Sequence, residues 1–142
     1  MVLKVFTDGG WRGNPGPSSI GIVMYINNKK IFQQREDIGV ATNNEAEYQA
    51  LIKALEILNP KLQIPNKFQI SNFQSIKQIQ FYSDSRLMVN QVNGLFKVKQ
   101  GKIKEYILKI RMLEQEIGLP ISYHLIPREE NWEADLLVNS KS

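Results

Sequence analysis

The first third of the chain alternates short apolar runs with turn-forming residues, a pattern typical of β-strands. Residues 2–8 predict a strand, which Gly9-Gly10 should end. The glycines and prolines of 13–17 predict a loop. Two further runs, 19–26 and 30–37, are separated by Asn27-Asn28, which predicts an antiparallel hairpin with a tight turn. We therefore expect a three-stranded meander before any helix.

The rest of the chain combines helical periods with two more strands. The pattern predicts helices over 45–58, 85–92, 101–117 and 131–138, and strands over 79–83 and 120–126. Thr42-Asn43-Asn44 caps the first helix and Asn131 the last. Residues 59–77 have no clear period and are interpreted as a long excursion with a short element around 68–73. The order β-β-β-α-β-α-α-β-α predicts an α/β fold, a mixed five-stranded sheet flanked by helices, in one domain of residues 1–142.

Composition narrows the class of protein. The chain has 142 residues, of which 42% are apolar and 23% charged, as in globular domains. It has no cysteine, which excludes disulfides and thiolate metal sites and fits a reducing compartment. No segment is apolar over the length of a membrane span. We therefore expect a cytoplasmic protein that binds no membrane.

The formal net charge of +4 is unevenly distributed. The segment 97–111 contains six basic residues and a single acidic one, Glu105. The basic residues are Lys97, Lys99, Lys102, Lys104, Lys109 and Arg111. The acidic residues gather elsewhere, so we expect contacts with a polyanionic backbone in one place and metal binding in another. A solvated helix face is the alternative interpretation of the lysines.

Four acids stand at positions that the pattern turns inward. Asp8 and Asp84 each end an apolar strand, and ligands of open α/β sheets collect beyond such strand ends. Glu47 lies in the first turn of its helix on the apolar side, and Asp135 lies on the inner side of the last helix. Any one of them could be a turn, cap or helix-dipole residue. Four converging carboxylates would repel one another, and divalent cations with oxygen ligands would neutralise them.

The motifs around these acids resemble type 1 ribonuclease H (RNase HI). The matching segments are Phe6-Thr7-Asp8-Gly9, Gly13-Asn14-Pro15-Gly16, Thr42-Asn43-Asn44-Glu45-Ala46-Glu47-Tyr48, Ser83-Asp84-Ser85 and Asn131-Trp132-Glu133-Ala134-Asp135. They occur in the family's order over nearly the whole chain. The segment 127–130 with Asn131 is most similar to the archaeal and related bacterial branch.

The resemblance implies an RNase H-like fold and an endonuclease that hydrolyses the RNA strand of RNA–DNA hybrids, leaving 5′-phosphate and 3′-hydroxyl ends. It implies that Asp8, Glu47, Asp84 and Asp135 are the catalytic residues. They would hold two magnesium ions about 4 Å apart, bridged by Asp8. Manganese, with its similar preference for oxygen ligands, should substitute.

The resemblance also implies how substrate is recognised, through backbone groups and short polar side chains in the minor groove. The residues assigned to substrate binding are Gly9, Gly10, Arg12, Asn14, Thr42, Asn43, Asn44 and Arg128. Thr42 would hold a DNA phosphate on free backbone amides at the helix start. An ordinary turn is the alternative interpretation of the glycines and Asn14.

The sequence departs from the family at the loop before the fourth acid. Many bacterial members have a histidine there, whereas this chain has Arg128, which we expect to bind phosphate or to assist product release. The single histidine, His124, is expected to be a strand residue.

Three rival functions stay open. One is a non-catalytic module on the same fold that binds hybrid or double-stranded RNA. The others are a different nuclease of the superfold and a domain of a reverse transcriptase polyprotein. The expected partner is an RNA–DNA hybrid, with double-stranded RNA left open, and the expected oligomeric state is a monomer.

Overall fold

The α/β architecture predicted from the sequence is confirmed by a computed structural model, which describes residues 1–10, 15–61, 75–99 and 101–140. The strands are β1 (Val2–Gly10), β2 (Gly16–Ile26), β3 (Lys29–Ala41), β4 (Gln78–Ser83) and β5 (Ile121–Leu125). The α-helices are α1 (Asn43–Leu58), α2 (Arg86–Val92), α3 (Gly101–Ile117) and α4 (Trp132–Asn139). A short 3₁₀ helix, Arg128–Asn131, leads into α4.

The five strands form one mixed sheet in the order β3-β2-β1-β4-β5. Strands β1, β2 and β3 are antiparallel neighbours, whereas β4 runs parallel to both β1 and β5. The parallel pairs require helical crossovers, which α1 and the α2–α3 segment supply. Because β1, β4 and β5 run in the same direction, their carboxyl ends meet at one edge of the sheet. The residues that follow β4 therefore lie beside the end of β1.

The hairpin between β2 and β3 turns at Asn27-Asn28, as predicted. Both residues have positive φ, 51° and 65°, which is the conformation of a type I′ turn and one that asparagine tolerates. The three strands are longer than predicted. β1 continues through Gly10, because Gly9 and Gly10 pair with Ile20 and Ser19 of β2. β3 continues past the predicted end to Ala41 as an edge strand, through a register shift in its pairing with β2 at Ser18 and Ser19 and a positive φ of 80° at Gly39.

The hydrophobic core lies between the sheet and helices α1 and α3. The apolar stripe of α1 is buried as predicted: Ala50, Leu51, Ala54, Leu55 and Leu58. In α3 the buried residues are Ile103, Ile110, Leu113 and Ile117, while Tyr106 and Ile107 are half-buried against the core. No helix among the described residues is long and apolar enough to cross a membrane.

The excursion after α1 is described only at its two ends. Asn59 is buried and its amide donates to Glu116 of α3 over 2.7 Å. At the far end, the amino group of Met1 donates to the carbonyl of Ser75 over 2.9 Å. The short element predicted around 68–73 lies outside the described residues.

Two glycines allow helices to lie directly on the sheet. A Cβ atom on Gly9 would lie 2.2 Å from the carbonyl oxygen of Ala46 in α1. One on Gly21 would lie 2.6 Å from the carbonyl oxygen of Ala134 in α4. Since Gly21 is the cross-strand partner of Asp8, both contacts are made where β1 carries its acid. Glycine at these positions therefore sets how closely α1 and α4 approach Asp8.

Gly21→Ala should destabilise the fold by about 1–3 kcal/mol, because the added methyl group collides with the backbone of α4. Gly101→Ala is the matched control: nothing lies within 4 Å of a Cβ at Gly101, and alanine favours the helix. Urea unfolding monitored by circular dichroism measures both variants. Equal stability of the two variants would show that α4 does not depend on Gly21.

Candidate active site

Three of the predicted acids meet at the edge of the sheet where β1 and β4 end. Asp8, Glu47 and Asp84 each offer a carboxylate oxygen, and these oxygens lie within 4.8 Å of one another. Asp8 extends from β1, Asp84 follows the last residue of β4, and Glu47 reaches over from the first turn of α1. The backbone N–H of Gly9 donates to Oε1 of Glu47 over 3.0 Å. The contact of α1 with β1 at Gly9 therefore also orients this carboxylate.

The fourth predicted acid, Asp135, approaches from the other side of the sheet on α4. It lies close enough to Asp8 for the two carboxyl groups to interact directly. Its Oδ1 also accepts from Nδ2 of Asn139 over 3.2 Å and lies 3.4 Å from Nη2 of Arg128. Asp135 is thus beside the three-acid group but engaged with a neighbouring cation.

The acids line an open cleft of about 1100 Å³. Gly10 and Asn43 also line this cleft, and Arg86 and Arg128 bring positive charge to its lining. The carboxylates thus share the cleft with basic side chains, an arrangement suited to a phosphate-bearing ligand.

Burial and mutual repulsion raise the pKa of three of these carboxyl groups. The pKa of Asp8 rises from 3.8 to about 8, first because the group is buried and then because of the charges of Asp84 and Asp135. Burial, followed by the charges of Asp8 and Asp84, places the pKa of Glu47 well above its ordinary value. Burial also raises the pKa of Asp84, although the positive charge of Arg128 opposes this shift. Without cations the group therefore cannot carry its full negative charge at neutral pH.

Asn131 contributes to the site in a way that the sequence did not indicate. Asn131 is the N-cap residue of α4, as predicted, but its side chain makes no cap hydrogen bond. Instead the side chain is buried, and Nδ2 donates to the carbonyl oxygen of Thr7 over 2.9 Å. Asn131 also donates to Asp84, which lowers the pKa of that carboxyl group. The spacing to Ala134 and Asp135, three and four residues on, was the available signal that it faces inward.

The helix start at Thr42 differs from the expected phosphate site. The amide of Thr42 donates to Oε1 of Glu45 over 2.9 Å, and the Thr42 hydroxyl accepts from the Glu45 amide over 3.1 Å. This reciprocal capping box occupies both amides. The prediction of free amides is therefore wrong for Thr42, and the reason is the glutamate three residues later.

The other assigned substrate-binding residues divide into three groups. Gly10, Asn43 and Arg128 line the cleft beside the acids. Gly9 also lines it, and its lack of a side chain allows the close contact with α1. Asn44 is not among the lining residues, and its side-chain oxygen is buried without a hydrogen-bond partner. Arg12 and Asn14 lie outside the described residues.

His124 and two of the basic residues have structural contacts. His124 lies on β5, as predicted, where its ring stacks on Tyr82 at 5.1 Å and bonds to the Ser122 hydroxyl at 2.7 Å. Lys102 pairs with Glu45, and Lys109 pairs with Glu56, each at 3.1 Å. These two lysines therefore link α3 to α1 by ion pairs. Part of the basic segment thus has a structural role that requires no bound polyanion.

Known proteins resemble this chain over most of its length. The bifunctional protein Rv2228c of Mycobacterium tuberculosis is 30% identical over 141 residues, which are 98% of this chain and 35% of that protein. Ribonuclease HI of Halobacterium salinarum is 33% identical over 96% of this chain and 62% of its own length. The chain thus spans about a third of the first relative and less than two thirds of the second.

The resemblance extends to a solved structure and to a family model. LC11-RNase H1, isolated from compost by a metagenomic approach, has been solved in complex with an RNA/DNA hybrid. That structure superposes with a TM-score of 0.81 and 37% identity, over 96% of this chain and 94% of the other. The RNase H family model matches residues 2–117, a range that contains the three converging acids but ends before Asp135. The chain therefore belongs to the RNase H family, and its similarity to an archaeal ribonuclease HI confirms the resemblance to type 1 found in its motifs.

Proposed function

We propose that this chain is a ribonuclease H, an endonuclease that hydrolyses the RNA strand of RNA–DNA hybrids and leaves 5′-phosphate and 3′-hydroxyl ends. The observation that carries the proposal is the convergence of Asp8, Glu47 and Asp84, whose carboxylate oxygens lie within 4.8 Å of one another in the lining of the cleft. The likeness to LC11-RNase H1, solved with an RNA/DNA hybrid, supports the substrate class. A non-catalytic binding module would not require so costly a group of carboxylates.

The acids fit divalent cations by their chemistry. Hard carboxylate oxygens are the ligands that magnesium prefers. Burial, and then the charges of Asp84 and Asp135, raise the pKa of Asp8, and bound cations would offset both effects. We propose two magnesium ions held by Asp8, Glu47, Asp84 and Asp135, with manganese as a substitute. Bound there, such ions would supply polarisation of the attacking water and neutralisation of charge on the leaving 3′ oxygen.

The chain's own residues hold the acids in position. The Gly9 amide fixes Glu47, and Asn131 donates to Asp84 while also bonding to the strand that carries Asp8. These contacts are made by the protein's own groups, which would orient the carboxylates for the hybrid.

The cleft walls supply the proposed contacts with substrate. Gly9, Gly10, Asn43 and Arg128 line the cleft beside the acids, where short groups could reach the 2′-hydroxyls that distinguish RNA from DNA. Arg12, Asn14, Thr42 and Asn44 complete the proposed substrate-binding set. For Thr42 the role no longer includes its own backbone amide.

We further propose that residues 1–142 form one domain that acts as a monomer. The sheet uses strands from Val2 to Leu125, and α4 packs on both β1 and β2. All four acids come from one chain, so a second copy is not needed to complete the site. A cytoplasmic location stays a prediction from the composition.

Asp8→Asn should reduce magnesium-dependent cleavage of a labelled RNA–DNA hybrid by at least about a thousandfold, or ~4 kcal/mol in activation free energy. Asp37→Asn is the control, because Asp37 is an exposed edge-strand residue paired with Arg35. Gel analysis of products with magnesium, manganese or EDTA, on hybrid and on double-stranded RNA, measures activity and substrate range. Binding of the hybrid by the wild type without cleavage would instead support the non-catalytic module.

As the pH rises from about 4 to about 8, the metal-free protein should lose stability. Because the folded pKa of Asp8 is raised, its carboxyl group keeps a proton in the folded chain that it releases in the unfolded chain. Asp8→Asn removes this penalty, so in EDTA the variant should melt above the wild type at pH 8 and near it at pH 4. Magnesium should close the gap at pH 8. A difference in melting temperature between Asp8→Asn and the wild type that does not change with pH would contradict the electrostatic interpretation.

Asn131→Ala should lower stability by about 1–3 kcal/mol, because the carbonyl of Thr7 loses its buried donor. It should also raise the pKa of Asp84, so the acidic limb of the kcat profile moves to higher pH. Asn90→Ala is the control: its amide also donates to a backbone carbonyl, that of Arg86 at 2.8 Å, but on the surface. A loss of stability with an unchanged pH profile would limit Asn131 to a structural role.

A further inference from the structure

Arg128 is the cation nearest to the fourth acid among the described residues. Its Nη2 lies 3.4 Å from Oδ1 of Asp135, and the two side chains are 75% and 29% exposed. The guanidinium also acts on Asp84, whose pKa it lowers. A permanently charged group at the end of a long, solvent-exposed side chain therefore lies beside two of the four proposed ion ligands.

The carboxylate of Asp135 has a second, independent support. Asn139, one turn along α4, donates through Nδ2 both to the backbone carbonyl of Asp135, over 2.9 Å, and to its Oδ1, over 3.2 Å. Asp135 should therefore keep its place on the cleft wall when Arg128 moves away. Of these two partners of Asp135, only Arg128 carries a positive charge. Arg128 alone would therefore compete electrostatically with an incoming cation for the carboxylate.

We propose that Arg128 is an internal cation that occupies Asp135 until a divalent ion displaces it, and that it thereby weakens the affinity of the site for divalent ions. This inference rests on the proposed function, because it assumes that Asp135 takes part in ion binding. The displaced side chain has solvent to move into, since it is largely exposed. Arg128 is a positioning residue in this scheme, because it acts on Asp135, a proposed ion ligand, and not on the reacting atoms.

Removing the charge should tighten ion binding. In calorimetric titration with magnesium chloride or manganese chloride, without substrate, Arg128→Gln should bind about three to ten times more tightly than the wild type, as expected for loss of one exposed charge pair and its repulsion. Arg128→Lys keeps the charge but not the fork geometry and should lie between them. Added salt should reduce the difference.

Arg86→Gln is the matched control. Arg86 also lines the cleft, but its guanidinium lies over the ring of Phe96, 5.7 Å from the centroid. We expect its substitution to change ion affinity by less than about twofold, because among the described residues no ion pair joins Arg86 to an acid of the group, whereas Arg128 is paired with Asp135.

Thermal unfolding gives a second readout that a merely structural role would not produce. Arg128→Gln should melt below the wild type in EDTA, because the acids lose their internal cation, and should gain more from magnesium than the wild type gains. Unchanged or weaker ion binding in Arg128→Gln overturns the proposal. If that variant loses affinity for the hybrid while its ion affinity is unchanged, Arg128 acts in substrate binding alone and the proposal is likewise overturned. Failure of the wild type to bind ions would overturn the proposed function as well.

Discussion

The close approach of two helix backbones to one pair of strands is the constraint on which the site depends. Helix α1 contacts β1 at Gly9, and α4 contacts β2 at Gly21, the cross-strand partner of Asp8. These contacts bring Glu47 and Asp135 from opposite faces of the sheet toward one carboxylate. The fold thus assembles like charges against their repulsion, and the raised pKa of Asp8 records the electrostatic cost. The free energy that offsets this cost comes from the core between the sheet and helices α1 and α3.

Much of the fold could be predicted from the sequence, because its elements carry strong local patterns. The apolar periods of α1 and α3 and the asparagine turn after β2 need no tertiary information to be recognised. The length of β3 could not be predicted, since Gly39, with a positive φ of 80°, and the shift in pairing beside it interrupt the regular strand pattern after Asp37. Its continuation to Ala41 depends on pairing with β2, which no local pattern encodes.

The acids of the candidate site could be predicted from the sequence, but not the contacts of each side chain. Strand ends and the apolar sides of the helices placed the four acids at inward-facing positions, whereas their hydrogen-bond partners depend on tertiary packing. Asn131 has residue chemistry that suits a helix cap, yet its side chain bonds to Thr7, 124 positions earlier. For Thr42 the signal was local, since Glu45 stands three positions later and the two residues exchange hydrogen bonds as a capping box. Tertiary packing therefore decides the partner of Asn131, whereas the partner of Thr42 is decided within the first turn of α1.

The four acids are not equivalent, and their differences follow from where the backbone places them. Asp8 and Glu47 are tied to β1 itself, one as part of the strand and the other through the amide of Gly9. The partly exposed carboxylate of Asp135 accepts from the side chain of Asn139 and pairs with that of Arg128. Side chains can exchange partners with little change in the backbone, whereas strand ends cannot. Adjustment to an ion or to a phosphate should therefore occur on the α4 side of the cleft, while the β1 side acts as the fixed reference.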